Sequence, residues 1–534
     1  MMATSFSQHG LLLVTGVLRQ QSSLAIGGEL RTGPTDTVFS RDGARRPTLR
    51  GGGLAGAAFA AMRKAGWDVP PCMSSGVPRP NTKSESQPSV VTFWSSHPTP
   101  VWHHHLSAAD VPGFSQRQHQ AIRHDTGAGA HQRMFDAEVL GPGHEWPVVI
   151  EVDLTALQAA ALEAKPDAAL SDLRTRVLAL IGVAVAEWQL GRCWLGEDVA
   201  AGQGWMQLVS CQAWHRGDDK AFGAINQMLF NEDGQRRCWA SVQSELKPTW
   251  TQAQLPRTDS LGKKPPAWRY HVLRGTCTAG PRADGWGLDS FFTASHGADR
   301  RGLHIEPGHL HRPKEHDPDI TVQPLARQRA MAMLQRWDPV GQKLLDCEPH
   351  IQGSTLRGPL RHGLSAEERR QGRRVQDPST GLWLTESNAA SDLEDWFGKP
   401  PSGQTAATSS RVLVRDLLLT SKSVKSWKAI HSVHHAEDDF RAGLFADATF
   451  GRYALVQATF EWEIVIEAPP GEDQAAATWA DRICRLMSGA SARRLALGGG
   501  VWAGHGRLQW TLHEHQWADA GSAWPSADRR EDDA

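Results

Sequence analysis

The apolar run Leu11–Leu18 and the alternating stretch Trp146–Leu154 predict two strands. Leu173, Val177, Leu180, Ile181 and Val185 recur at helical spacing and predict a helix over Ser171–Trp188. The same succession returns further along. Trp268–Cys277 predicts a strand, Tyr453–Ile466 another in which Trp462, Ile464 and Ile466 alternate with charges, and Gln474–Met487 a helix. Glycine-rich turns precede helices predicted over Leu54–Lys64 and Thr355–Arg370, and a second pair of glycine runs opens strands at Trp205–Val209 and Arg507–Thr511. Each half therefore reads strand, glycine turn, helix, irregular section, strand, helix, strand. That order fits an α+β, ferredoxin-like (RRM-like) βαββαβ core with large loop insertions.

The two halves share a register. Residues 195–204 read LGEDVAAGQG and residues 497–506 read LGGGVWAGHG, with Leu, two flanking Gly, Val, Ala and the final Gly at identical positions 302 apart. Gly51, Leu54 and Gly56 repeat as Gly353, Leu356 and Gly358, again 302 apart. Two separate glycine patterns in one offset imply an internal duplication. MFDAEV (134–139) and LFADAT (444–449) correspond with a slip of eight residues, which a loop insertion absorbs. The expected organisation is a first domain over 1–212, a polar bridge over 213–267, and a second domain over 268–517. The second domain carries a Gly-, His- and Pro-rich insertion at about 281–348, and an Asp- and Ser-rich tail over 518–534 is expected to be disordered.

Composition narrows the chemistry. At 534 residues the chain exceeds one ordinary core, and 40% hydrophobic with 22% charged residues is the balance of a soluble globular protein. A formal net charge of −1 means that any nucleic-acid contact comes from local patches or from a site shared with partners. Seven cysteines include no C-x-x-C pair, so neither a zinc ribbon nor a disulfide scaffold is expected. Cys211, His215 and Cys238 are the nearest approach to a metal-ligand set, with no evident fourth ligand. Leu11–Val14 is too short for a membrane span and has no basic flank, so a cytosolic protein without membrane contact is expected.

The glycine elements are candidate backbone-binding sites. In dinucleotide and P-loop fingerprints the glycines follow a strand and open a helix. Gly204, Gly504 and Gly506 do the reverse, and no Walker Lys-Ser/Thr follows, so no nucleotide cofactor is expected. Such loops still allow close approach of a phosphodiester, with Gly504, Gly506 and Arg507 as candidates, or they simply make tight turns. The other element, Gly353-Ser354-Thr355 followed by Arg357 and Arg361 one turn apart, is a candidate phosphate cradle. Its first-half counterpart is Gly51-Gly52-Gly53 with Arg63 at the far end of the helix.

These stretches resemble a known family. LAIGGE (24–29), TDTVFSRDG (35–43) and PTLRGGGLAGAAFAAMR (47–63) resemble the opening of the RAMP-superfamily backbone subunits of type III CRISPR effectors. AIRHDTGAGAHQRMFDAEVLGPG (121–143) is similar to that family's thumb hairpin. The second half supplies Phe397-Gly398, the strand RVLVRD (411–416), a degenerate thumb (His431–Phe445) and a closing G-x-G-R (Gly504–Arg507). GGG stands where the family has Gly-Ser-Ser, His124 where its thumb has Asp, and the second half lacks a clear Asp-bearing loop.

The resemblance implies two tandem RAMP domains lining a guide RNA, with complementary target RNA and other effector subunits as partners. It places Asp36 where active members carry the carboxylate that promotes target cleavage, with Mg²⁺ as the possible cofactor; the same residue also reads as an Asx turn in T-D-T. A non-catalytic RNA scaffold is the alternative. A guide-processing ribonuclease is the third reading, using His103–His105 or His431, His434 and His435. Asp317 and Asp319 are candidates for a displaced cleavage loop.

Overall fold

The computed structural model describes residues 9–28, 36–74, 88–98, 113–122, 129–164, 170–218, 221–230, 237–256, 258–263, 265–279, 288–289, 333–346, 348–377, 380–386, 389–399, 408–434, 437–438, 443–444, 450–488, 495–498 and 506–518. The fold is α+β with antiparallel sheets. In the first half, β1 (Leu11–Gln20), α1 (Gly51–Lys64), β2 (Val91–Phe93), β3 (Phe114–Ile122), β4 (Gly129–Leu140) and β5 (Glu145–Asp153) come first. They are followed by α2 (Leu154–Ala164), α3 (Leu170–Gln189), β6 (Cys193–Trp194) and β7 (Trp205–Arg216). Then come α4 (Ala221–Leu229), α5 (Trp239–Thr249) and β8 (Thr251–Ala253).

The second half begins with β9 (Arg269–Ala279), β10 (Leu288–Asp289), α6 (Gly353–Arg370) and the short α7 (Leu393–Phe397). After these run β11 (Val412–Val414), β12 (Leu418–Leu419), β13 (Lys428–His434), β14 (Phe450–Val456), β15 (Ala458–Ala468), α8 (Asp473–Leu486) and β16 (Gln509–Trp517). No helix among the described residues is long and apolar enough to cross a membrane.

The two sheets have the same strand order. The first runs β2-β5-β1-β7-β6, with β8 added to β7; the second runs β11-β15-β9-β16, with β12 added to β15. Gly204 and Gly506 have φ of 72° and 75°, and a Cβ at either would lie within 1.9 Å of the carbonyl oxygen of Leu195 or Leu497. Only glycine fits both demands. The peptide N–H of Leu195 donates to Gly204 and that of Leu497 to Gly506, at 2.9 and 2.8 Å. Holding these turns together, the ladder registers place Leu11 at the position of Tyr270 and Leu13 at that of Val272. They likewise place Glu151 at Val465, Val149 at Glu463 and Thr92 at Leu413.

Alternation of side chains about each strand divides the cores. Leu12, Val14, Leu18, Val148, Ile150 and Val152 face α1 and α3; Leu273, Cys277, Ile464 and Ile466 face α6 and α8 in the same way. Each fully buried aliphatic side chain contributes about 1.5–3 kcal/mol, so the layers account for much of the fold's stability.

Three expectations change. Tyr453–Ile466 is two strands, because Gln457 turns the chain at φ 54°: β14 pairs with β13 in a hairpin, and β15 enters the sheet. Residues 213–267, expected to be a polar bridge, carry α4 and α5. Their apolar positions Ile225, Met228, Leu229, Trp239, Val242 and Leu246 make a core with Leu11, Leu13, Val149 and Trp214. Separate short apolar sets at helical spacing, interrupted by charged residues, hid this core from composition. The insertion at 281–348 lends β10 to the second hairpin, where it pairs with β14.

Candidate nucleic-acid interface

Hairpins β3–β4 and β13–β14 lie outside the two main sheets and fall where the sequence suggested thumbs. The loop that carries Asp36 runs along the root of the first hairpin. Thr37 bridges Ala137, and the Glu138 peptide N–H donates to Thr37 O at 2.9 Å. Arg41 grips Glu138 with two hydrogen bonds of 2.7 Å, and the Phe39 N–H donates to the same carboxylate. Bidentate pairing fixes orientation as well as distance, so the loop is anchored to β4 on both sides of Phe39. Asp36 itself is exposed.

Asp42 is committed elsewhere. Burial raises its pKa, but hydrogen bonds from His97 and Arg46 outweigh burial and hold the carboxyl below the usual carboxylate range. Two backbone N–H groups, of Ala44 and Arg46, also donate to it, so Asp42 folds the R-D-G turn on itself.

The glycines that open α1 and α6 meet different surroundings. A Cβ on Gly51 would sit 1.9 Å from Phe93 O, so this position must be glycine. Its N–H donates to Ser95 Oγ at 3.2 Å. Gly52 and Gly53 are exposed, with no atom within 4 Å of an added Cβ. Arg63 is exposed at the opposite end of α1.

The start of α6 is closed. Gly353 packs against Val414 O and, from the first half, Ala201 O, with Cβ distances of 2.2 and 2.5 Å. Its N–H donates to Asp416 Oδ1 at 2.9 Å. A carboxylate at a helix N-terminus is favourable, and here it belongs to the protein. Asp416 is also ion-paired with Arg117 of β3, whose guanidinium donates to Ser23 Oγ at 2.6 Å and lies 3.2 Å from His350 Nε2. Ser354 and Thr355 are half-buried.

Arg357 and Arg361, the candidates for phosphate contact, both reach the carbonyl of Phe397. Arg357 donates to Phe397 O; Arg361, 6% exposed, donates to Phe397 O at 3.4 Å and to Gly398 O at 3.0 Å. Burial, reinforced by the neighbouring Arg361, brings the Arg357 guanidinium down to about 10. Burial also lowers the Arg361 pKa. The pair holds the Phe-Gly corner after α7. In the sequence this Phe-Gly stands out as a motif, but nothing there connects it to the arginines.

Gly506 is explained by its turn, and Arg507 is half-buried, bridging Ala496. Gly504 lies outside the described residues, as do His103–His105, His435, Asp317 and Asp319, and the side chains of His431 and His434. Cys211 packs with the α1–α3 core and Cys238 with the α4–α5 core, on opposite faces of the sheet. Burial pushes the Cys211 thiol up to about 11. Among the described residues no three His, Cys, Asp or Glu side chains form a metal-holding group. Sequence reading missed Arg117 and Asp416. The only signal was the terminal Asp of RVLVRD, which is polar at the end of an apolar strand.

A search of curated proteins returns no match for the chain. Residues 337–509 match the family model of the RAMP superfamily, a stretch that includes α6, the second hairpin, β15 and α8 and reaches the first residue of β16. The chain carries a RAMP-superfamily segment over 337–509.

Proposed function

We propose that the chain is a CRISPR-associated RAMP protein of a type III-like effector complex, with both halves serving as RAMP domains. It holds guide RNA through exposed backbone at Gly52 and Gly53, and cuts the paired target RNA from Asp36. The observation that carries the reading is the exposed Asp36 on a loop pinned to a hairpin root by Arg41 and Glu138. A carboxylate on an anchored loop can meet a ribose displaced by the hairpin without reorganising.

In the step proposed, Asp36 takes the proton of a 2′-hydroxyl. That oxygen attacks the adjacent phosphorus, and the 5′-oxygen leaves with a proton from solvent, giving a 2′,3′-cyclic phosphate and a 5′-hydroxyl. Glu138 and Asp42 are already paired with Arg41 and with Arg46 and His97, so the carboxylates near Asp36 do not form a Mg²⁺ cage. Mg²⁺ fits only if RNA phosphates and water supply most of its ligands, in which case Asp36 would be the protein's contribution.

The experiment is cleavage of complementary RNA by an assembled complex with a matching guide, with Mg²⁺ and with chelator. Asp36→Ala should abolish cuts at this subunit while target binding is nearly kept, because a proton acceptor acts mainly on the transition state. A wild-type complex that binds without cutting returns the chain to the scaffold reading. That second reading draws on the second half, where Asp416 fills the start of α6 and Arg357 and Arg361 are committed to backbone.

A further inference from the structure

The back faces of the two sheets are equivalent surfaces with different occupants. On the second sheet, Tyr270, Val272, Leu413 and Val465 receive Trp205 of the first half, with Trp194, Val199 and Ala200 packed around it. Arg415 at the edge of this face donates to Gln21 O of the first half at 3.1 Å. On the first sheet, the positions of Tyr270 and Val272 are Leu11 and Leu13, and both are buried under α4 and α5. Trp94, at the position of Arg415, packs against Phe230 at the end of α4, ring centroids 6.1 Å apart.

We propose that α4 and α5 are a built-in cap. They occupy on the first half the surface through which the second half receives its neighbour, and so make the first half a terminal unit that accepts no preceding domain. Two further features agree. The remaining apolar positions of the docking face, Leu413 and Val465, are Thr92 and Glu151 on the first half. Thr92 is exposed, and Glu151 is a half-buried carboxylate bonded by Trp94 Nε1 at 2.9 Å. Conversely, Val149 and Trp214 under the helices stand where the uncapped second sheet has Glu463, ion-paired with Arg274, and Gln516. Each face is composed for its occupant. A heterologous interface between like domains propagates unless one end is closed, and terminal units of repeat arrays carry such closures. The inference rests on the equivalence of the sheets and is independent of the RNA-cleavage reading.

The test rebuilds the internal interface at the two outer ends of the full chain, without RNA. Thr92→Leu and Glu151→Val supply the receiving face. Ala496→Trp and Arg507→Trp supply the positions of Trp194 and Trp205. Light scattering over a wide concentration range should find this rebuilt chain monomeric while the cap is present. Replacing 221–249 by a short glycine-serine linker should convert it to a species whose mass grows with concentration.

Association of the capped, rebuilt chain would overturn the proposal, as would a monomeric uncapped chain whose β9 amides remain protected from exchange. Should the deletion unfold the chain, Ile225→Asp with Val242→Asp unseats the helices at full length and is read the same way.

Discussion

Arg117 at the root of the first hairpin and Asp416 beyond β11 form an ion pair in which both side chains are 2% exposed. The pair joins the two halves at the point where the first glycine loop meets the start of α6. A buried pair contributes little over an apolar replacement, but breaking it strands a charge. Asp416→Ala should therefore destabilise by about 3–5 kcal/mol in denaturant unfolding. Arg117→Met with Asp416→Leu should recover part of that loss. Faster amide exchange in the first turn of α6 should accompany Asp416→Ala, since the Gly353 N–H loses its acceptor. A double change whose cost equals the sum of the two single changes would show that the two residues are not coupled.

The inward arginines give a different expectation from phosphate binding. Arg361→Ala removes charge-assisted hydrogen bonds to Phe397 and Gly398, each worth about 1.5–3 kcal/mol, and should lower thermal stability measurably. RNA affinity measured well below the melting transition should change little. Arg361→Lys should not restore stability, because one ammonium cannot span both carbonyls as the fork does. Unchanged stability with weaker, less salt-sensitive RNA binding would return these side chains to the phosphates.

The glycine register and the two alternating strands made the repeated sheet legible, because a backbone that needs φ near +70° at Gly204 and Gly506 leaves a mark in sequence. What a polar side chain does once buried left none. Arg357 at a helix start reads the same whether it faces phosphate or Phe397 O, and only the path of the chain from α7 decides. Asp42 and Asp36 were close in sequence, but the contacts of Arg46 and His97 separate a turn carboxylate from an exposed one. The cap over Leu11 and Leu13 was illegible for the same reason: its apolar positions become one face only when α4 and α5 pack side by side.

His271 on β9 predicts a pH dependence. It is 6% exposed, stacked on His515 at 4.9 Å between ring centroids. Burial, then the neighbouring His515, brings its pKa from 6.5 down to about 4. The unfolded chain therefore binds the proton first as pH falls. Stability from this residue is fully present above about pH 6.5 and is lost progressively towards pH 4. His271→Phe should flatten that part of the stability profile measured by denaturant unfolding. An unchanged slope between those limits would assign the pH dependence to other groups.

The triplet that opens α1 separates a structural glycine from two that are open. Gly51→Ala forces a methyl against Phe93 O, 1.9 Å from the ideal Cβ position, and should destabilise the first half. Gly53→Asp meets nothing within 4 Å and places an acid in the first helical turn, where it should stabilise by about 0.3–1 kcal/mol. If the start of α1 holds RNA phosphate, that same carboxylate repels it. Gly53→Asp should then bind guide RNA more weakly, and the dependence of log affinity on log salt should become shallower by about one phosphate contact. A more stable protein that binds RNA less well is an outcome that misfolding cannot produce. Equal affinity and salt slope in Gly53→Asp and wild type would remove the α1 terminus from the interface and leave the RNA to the hairpins.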